Sequence, residues 1–287
     1  MHATRKLWTW LAVICALSFA VLGWVGGEIY LAAPPIPQRV VASGDQVLFG
    51  PGEIERGQQA WLASGGQQLG SVWGHGSYVA PDWSADWLHR EAVALREIWA
   101  QQDFGRDFGE LPPEQQAAVQ ARTLAEMRRN TYDAASGTLQ LSPARAQAVQ
   151  QVAAHYRALF GDDAALDRLR EQYAMQSGVL PDAEDRQALA GFVFWSAWAA
   201  AADRPGEPGL SYTSNWPHEP LVGNTPTAGT GIWSIASVIL MIGAIAAMIF
   251  FHARGHEEAD PTPPKADPLF TLQPTPSMRA TRKYFYV

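Results

Sequence analysis

The residues best suited to chemistry lie in one glycine-rich stretch, which reads Ser-Val-Trp-Gly-His-Gly-Ser-Tyr over residues 71–78. A glycine on each side of His75 lets the backbone approach another group closely, and His75 itself could ligate a metal or relay a proton. The alternative is a tight loop that Trp73 and Tyr78 pack, with a hydrogen-bonded histidine. Because no second His or Cys lies nearby to complete a metal site, the pattern favours the loop.

A second candidate is the loop Asn-Trp-Pro-His-Glu-Pro at residues 215–220, which places a histidine beside a carboxylate. Such a pair can exchange protons, but one pair alone is a weak sign of acid–base catalysis, and an interface loop near the membrane is favoured. From the two stretches together we predict five structural or interface residues: Trp73, His75, Trp216, His218 and Glu219.

The rest of the chain offers no recognisable catalytic centre. Cys15 is the only cysteine, which excludes a disulfide framework, a cysteine-rich zinc or iron–sulfur site, and a haem attached through Cys-x-x-Cys-His. A glycine-rich phosphate loop, a Ser/His/Asp signature and a zinc-helix motif are missing as well. His89 is interpreted as a solvated helix residue and His155 as a structural one. We predict no catalytic residue and no haem ligand in this chain.

The elements that must position these residues belong to a folded protein. A chain of 287 residues, 47% hydrophobic and with 12 Trp, is too apolar for a disordered protein and long enough for one or two domains. The net charge of −7 argues against a nucleic-acid partner, because nucleic-acid binders are normally basic.

Two uncharged runs are long enough to cross a bilayer, which takes about 20 apolar residues. The first covers residues 7–27 and has tryptophans near both ends, as interfacial belts require. The alternative is a cleaved signal peptide with Ser18-Phe19-Ala20 as its cleavage site. The run is longer than the apolar part of such a peptide, roughly 7–15 residues, so an uncleaved span is favoured. The second run covers residues 232–251 and is predicted to be a span.

The charges beside these runs predict the topology. The positive-inside rule places both termini in the cytoplasm on the basis of Arg5, Lys6, Arg254, Arg279, Arg282 and Lys283. The predicted segments are a cytoplasmic N-terminus (1–6), a first transmembrane helix (7–30), a periplasmic domain (31–230), a second transmembrane helix (231–252) and a cytoplasmic segment (253–287). The membrane would be a bacterial inner membrane, with the lipid bilayer as a partner.

The domain between the runs has a helical pattern. Apolar residues recur at helix spacing over residues 88–99 and 149–160. Ser142-Pro143 reads as a cap followed by proline in the first turn, Pro181 begins a very apolar helix, and residues 204–230 are predicted to be an ordered loop. No alternating segment of convincing length predicts a strand. We therefore predict an all-α membrane protein, with two transmembrane helices flanking a helical extracytoplasmic domain.

Residues 57–89 resemble the N-terminal region of quinol-dependent nitric oxide reductase of the single-chain type. Further segments that fit the same family are Phe-Trp-Ser-Ala-Trp at 194–198, Arg-Pro-Gly at 204–206, Tyr-Thr-Ser-Asn-Trp-Pro at 212–217, Gly-Asn at 223–224 and Met-Arg-Ala-Thr-Arg-Lys-Tyr-Phe at 278–285. The resemblance implies a span, a cytochrome-c-like domain without haem, and a second span.

The resemblance also bears on cofactors. Relatives that carry haem c have Cys-x-x-Cys-His after a Gly-x-x-x-Trp helix, and here that place reads Gly-Gly-Gln-Gln-Leu at residues 65–69. In those relatives the following Gly-x-Tyr backbone lies near a calcium ion that bridges to the catalytic chain. By position, Gly76 and Tyr78 would make these backbone contacts here. No other cofactor is expected in this segment.

By resemblance, the intact enzyme uses quinol electrons to reduce two molecules of nitric oxide to nitrous oxide and water. Its haem b, high-spin haem b and non-haem iron lie in a further bundle of spans, as do the proposed quinol-binding residues. The sequence stops at Val287, where a third span would begin, so we expect a truncated chain or half of a split enzyme.

This segment would anchor the catalytic bundle of a respiratory-chain enzyme of denitrification and cap it on the periplasmic side. The bundle, the bilayer and, in the intact enzyme, quinol would be its partners. The alternative is a stand-alone, non-catalytic two-span membrane scaffold or assembly protein.

Overall fold

The computed structural model describes residues 2–44, 46–225 and 227–259. They belong to two units, one that extends to Thr227 and one that begins at Ala228. Several features expected near the end of the chain lie outside the described residues: the charges at Arg279, Arg282 and Lys283, the motif at 278–285 and the start of a third span.

The α-helices of the first unit are α1 (His2–Leu31), α2 (Glu53–Ala63), α3 (Trp83–Phe104), α4 (Pro113–Arg128), α5 (Pro143–Leu159), α6 (Asp167–Gln172) and α7 (Ala183–Ala201). Its strands are β1 (Arg39–Val41), β2 (Val47–Phe49), β3 (Ser71–Val72), β4 (His75–Gly76), β5 (Tyr132–Asp133), β6 (Thr138–Gln140), β7 (Asp203–Arg204) and β8 (Glu207–Ser211). Single 3₁₀ turns cover Gly66–Gln68, Phe108–Glu110, Ala164–Leu166 and Pro220–Val222. The second unit is described as one helix, α8 (Ala228–Ala259).

Helices α1 and α8 have the length and composition of membrane spans. Within them, Trp8–Leu31 and Gly231–Arg254 are each 24 residues long, with mean hydropathies of 2.0 and 2.5. Neither segment is buried within the protein, as expected for helices whose apolar surface faces lipid. The two predicted spans are thus confirmed as apolar helices of sufficient length, which indicates membrane anchoring.

The core of the first unit is built from α2, α3, α5 and α7, which pack against one another. Three tryptophans of α3 and α7 are fully buried: Trp83, Trp87 and Trp198. The ring of Trp87 lies 5.0 Å from that of Tyr156 in α5, and the ring of Trp83 lies 5.3 Å from that of Phe160. The tryptophan-rich helices therefore pack on the core of their own domain.

The mostly helical fold agrees with the sequence analysis, but the expectation of a domain without strands is wrong in detail. Strands β2, β1, β6 and β5 form a small sheet, in which β1 and β6 are parallel and the other neighbours are antiparallel. Residues 204–230, predicted to be a loop, contain the end of the β7–β8 hairpin. Strands of two to five residues are too short for a period-two pattern to be recognised.

Candidate functional site

The glycine-rich stretch folds as a two-stranded hairpin. Strands β3 and β4 pair in antiparallel register, and Trp73 and Gly74 form the turn between them with φ angles of +54° and +77°. Positive φ at both central residues suits a two-residue hairpin. Gly74 adopts this geometry readily, whereas a tryptophan does so only where other contacts hold it.

Trp73 has such contacts. Its backbone N–H donates to Ser84 Oγ at 3.0 Å, and its indole Nε1 donates to the carbonyl oxygen of Ser196 in α7 at 2.7 Å. Its ring lies 5.4 Å from that of Trp195. The hairpin is thereby fastened to the most apolar helix of the domain.

Asp82 organises the same hairpin, although the sequence analysis did not single it out. Its Oδ2 accepts hydrogen bonds from Ser71 Oγ at 2.8 Å and from the N–H of Gly74 at 2.7 Å. Its Oδ1 accepts from the N–H of Ala85 at 3.0 Å, which caps α3, and from the hydroxyl of Ser84. An aspartate directly before an apolar helical segment is the sequence signal that could have identified this role.

His75 and Tyr78 lie on the outer side of the hairpin. His75 is exposed, and its Nδ1 is 3.0 Å from the carbonyl oxygen of Trp73. Tyr78 is 90% exposed. The expectation that Tyr78 packs the loop is therefore wrong, because its ring faces solvent while Trp73 packs against α7.

The predicted calcium contacts at Gly76 and Tyr78 do not amount to a complete site. Gly76 has a φ of +146°, and a Cβ there would overlap the carbonyl oxygen of Gly70, so close packing of the backbone already requires this glycine. Among the described residues, no group of three or more His, Cys, Asp or Glu side chains could hold a metal ion. Calcium takes roughly six to eight oxygen ligands. The two backbone contacts stay a prediction that needs ligands from outside this set.

The second predicted loop lies against the first. A Cβ at Gly74 would overlap the indole of Trp216, so this glycine allows the two loops to touch. Trp216 is 41% exposed and precedes a cis peptide bond to Pro217. We call the three exposed rings of this loop pair, those of His75, Tyr78 and Trp216, the aromatic face.

Within the second loop, Glu219 pairs with a residue that the sequence analysis interpreted otherwise. Glu219 is buried, its Oε1 accepts from the N–H of Leu221 at 3.0 Å, and its Oε2 lies 3.1 Å from Nδ1 of His89 in α3. His89, interpreted as only solvated, is half-exposed and tethers the loop to α3. His218 is exposed, so the neighbours His218 and Glu219 do not face the same environment.

Arg128 at the end of α4 gathers the rest of this loop. Its guanidinium donates to Asp203 Oδ1 at 2.8 Å, Asn215 Oδ1 at 2.9 Å and Asn224 Oδ1 at 3.1 Å. Arg128 is largely buried, so these charge-assisted hydrogen bonds are well shielded from water. The loop that leads to Thr227 is therefore ordered by side chains distant in sequence, which no local pattern reveals.

Buried ionisable groups in the core are engaged with one another. Arg145 Nε donates to Glu91 Oε1 at 2.8 Å, with both side chains buried. The hydroxyl of Tyr156 donates to Asp86 Oδ2 at 2.9 Å. Burial raises the pKa of Tyr156 well above its ordinary value, and the Asp86 carboxylate adds to the shift. These groups stabilise the interior and present no reacting atom to solvent.

The place of the haem-attachment motif shows no group that could hold a haem. Residues Gly66–Gln68 form a 3₁₀ turn there, and the lone Cys15 lies in α1. Covalent attachment of haem c needs two thiols and an axial histidine, which the sequence lacks at this place. What the described surface offers is a docking region, the aromatic face, rather than a reaction centre.

Comparison with known proteins identifies the domain. Residues 37–218, more than half of the chain, match the family model for the cytochrome c-like domain of the nitric oxide reductase protein NorB. No curated protein matches the chain.

Proposed function

Because the chain belongs to the family of NorB cytochrome c-like domains of nitric oxide reductase, we propose that it is the membrane-anchored N-terminal part of a quinol-dependent nitric oxide reductase. The observation that carries this proposal is the position of the matched domain, residues 37–218, between two apolar helices of 24 residues. A soluble electron carrier would not need two such helices.

The proposed role of the segment is to anchor and cap the catalytic bundle. In the intact enzyme, quinol supplies two electrons and two protons, which with two molecules of nitric oxide give nitrous oxide and water. Haem b, high-spin haem b and non-haem iron would carry out this chemistry outside the present segment, since neither apolar run contains a histidine that could ligate a haem. The residues described here position a partner and take no part in the reaction.

The aromatic face is the proposed contact with that bundle. An exposed Tyr and Trp on rigid loops are typical of protein interfaces, because large rings bury much area at low cost in side-chain entropy. Trp73 and Asp82 supply the rigidity through their bonds to α7 and α3. If calcium binds at Gly76 and Tyr78, the bundle would have to supply further ligands.

The proposed orientation places residues 31–230 in the periplasm and both termini in the cytoplasm of a bacterial inner membrane. Arg5 and Lys6 before the first span and Arg254 after the second support it through the positive-inside rule. Between the spans the charge balance is acidic, with no lysine from residue 32 to 230, which fits a translocated domain.

Photocrosslinking from the aromatic face tests the proposed contact. The photoreactive amino acid p-benzoylphenylalanine replaces Tyr78 or Trp216 in the protein in its own membranes, and Leu62, which is 52% exposed on α2, serves as the control position. We expect Tyr78 and Trp216 to crosslink to peptides of a polytopic haem-b bundle, and Leu62 to do so much less. Equal crosslinking from all three positions, or none to such a bundle, contradicts the proposed interface.

A further inference from the structure

A cleft of about 870 Å³ opens in the first unit where α1 ends. Its lining includes Glu28 of α1, Tyr132 of β5, Arg204 and Glu207 of the β7–β8 hairpin, and Tyr212. This volume is within the range of small-molecule sites, roughly 300–1,000 Å³. The function proposed above does not use the cleft.

The cleft lies at the level of α1 that meets the lipid headgroups. Glu28 is in the last turn of the apolar segment Trp8–Leu31. Trp24 and Tyr30, the aromatic residues on either side of it, are 67% and 82% exposed. Trp and Tyr gather where hydrocarbon gives way to headgroups, so a cleft lined by Glu28 faces the headgroup layer rather than bulk water or hydrocarbon.

The charges in the cleft have both signs, and some are free to bind a ligand. Asp203 is engaged by Arg128 at 2.8 Å. Glu28 and Glu207, by contrast, are exposed and make no side-chain hydrogen bond or ion pair to any of the described residues. Arg204 uses Nε and Nη2 to donate to the carbonyl oxygens of Ser211 and Tyr212, at 2.9 and 3.0 Å, which fixes its guanidinium at the wall of the cleft.

We propose that this cleft binds the headgroup of a zwitterionic phospholipid with a primary ammonium, of the phosphatidylethanolamine type. Two free carboxylates accept hydrogen bonds from an ammonium, and the fixed guanidinium faces its phosphate. The rings of Tyr132 and Tyr212 add surfaces that attract a cation. An anionic headgroup is disfavoured, because it would bring its phosphate to two carboxylates with no ammonium to compensate.

This inference rests on the membrane insertion of α1 assumed in the proposed function. A bound lipid at this position would tie the base of the periplasmic domain to the outer leaflet and fix its height above the membrane. The headgroup site is separate from the aromatic face, which is proposed to bind protein.

Native mass spectrometry of the full chain tests the site. The protein is released from micelles that contain equal amounts of phosphatidylethanolamine, phosphatidylcholine and phosphatidylglycerol, and the retained lipids are quantified. We expect the ethanolamine lipid to be retained most. The double variant E28Q/E207Q should lower its retention about threefold or more, the effect expected from losing two partly exposed charge contacts. The variant Glu114→Gln, at an exposed carboxylate on α4, is the matched control.

A photoactivatable ethanolamine lipid then gives the location, since its crosslinks should map to peptides around residues 28–35 and 203–212. Equal retention of the three lipids, unchanged retention in E28Q/E207Q, or crosslinks only elsewhere would overturn the inference. An alkaline wash of the membranes is made in parallel. Release of the wild-type chain would refute its anchoring and the lipid site together, whereas retention without headgroup selectivity refutes the lipid site alone.

Discussion

At the scale of single residues, the hairpin of the aromatic face depends on one carboxylate. Asp82 accepts four hydrogen bonds, two from the hairpin and two from the start of α3. A capping aspartate is visible in a sequence, but its second use, which joins Ser71 and Gly74, requires the chain to fold back over about ten residues. The sequence therefore predicts the helix start and not the loop that it supports.

Replacing Asp82 by Ala should lower the free energy of unfolding by about 2–4 kcal/mol, because a helix cap and several buried hydrogen bonds are lost together. Denaturant unfolding of the full chain in micelles, followed by tryptophan fluorescence, measures the change. Asp162→Ala, at an exposed aspartate, is the control and should stay within about 0.5 kcal/mol of the wild type. Similar losses in both variants would refute the central role of Asp82.

The buried pair of Glu91 and Arg145 should behave differently from an exposed pair. Glu91→Gln leaves the Arg145 guanidinium without its counter-charge and should cost about 3–5 kcal/mol. Asp103→Asn breaks the half-exposed pair with Arg122 and should cost about 1 kcal/mol or less. The same unfolding experiment compares the two, and an equal cost for both variants would contradict the burial argument.

His155 should make stability depend on pH. Burial lowers the pKa of His155, and the nearby Arg90 lowers it further. Between this lowered pKa and the ordinary value near ~6.5 the unfolded chain binds more protons, so stability is fully present above that value and falls as pH decreases through this window. His155→Gln should remove this part of the pH dependence of the unfolding midpoint. Gln151→Ala, one turn earlier on α5, should keep it, and identical pH profiles for wild type and His155→Gln would contradict the assignment.

At the scale of elements, the long helices were predictable and the strands were not. Ser142 caps α5 by accepting from the N–H of Arg145 at 3.3 Å, and Pro143 occupies its first turn, as the sequence predicts. Asp182 caps α7 two residues before the apolar run that marks this helix. The parallel pairing of β1 with β6 joins residues about a hundred positions apart, and it depends on packing that no local pattern encodes.

The contact between α2 and α7 depends on one glycine. A Cβ at Gly57 would overlap the carbonyl group of Ala188 and Cβ of Phe192, so Gly57→Ala must push the two helices apart. We expect a loss of about 1–3 kcal/mol in unfolding free energy. Gly109→Ala is the matched control, because nothing lies within 4 Å of a Cβ at that position. A loss no larger than that of the control would show that the helices can separate at no cost.

At the scale of the whole molecule, the order of span, domain and span was predictable, because apolar length and charge are properties of the sequence itself. The aromatic face was only half predictable. Both loops stood out by composition, but their contact through Gly74 and Trp216, and the tether from His89 to Glu219 across 130 positions, arise from the tertiary fold.

Cysteine labelling tests the orientation of the molecule. In a chain with Cys15→Ser, Ser136→Cys lies in the exposed turn between β5 and β6 and should react with a membrane-impermeant maleimide in intact spheroplasts. Ala3→Cys should react only after lysis, because the positive-inside rule keeps the N-terminus in the cytoplasm. The reverse pattern would invert the topology and place the aromatic face on the wrong side of the membrane.

The measurement that tests the central claim most directly is the mass and haem content of the protein isolated from its own membranes under gentle conditions. The account predicts that this polypeptide, alone or tightly bound to another, is isolated with b-type haem, without covalently bound haem, and consumes nitric oxide when quinol is supplied. A haem-free species of 31.3 kDa without such activity would contradict the account and favour a non-catalytic membrane scaffold.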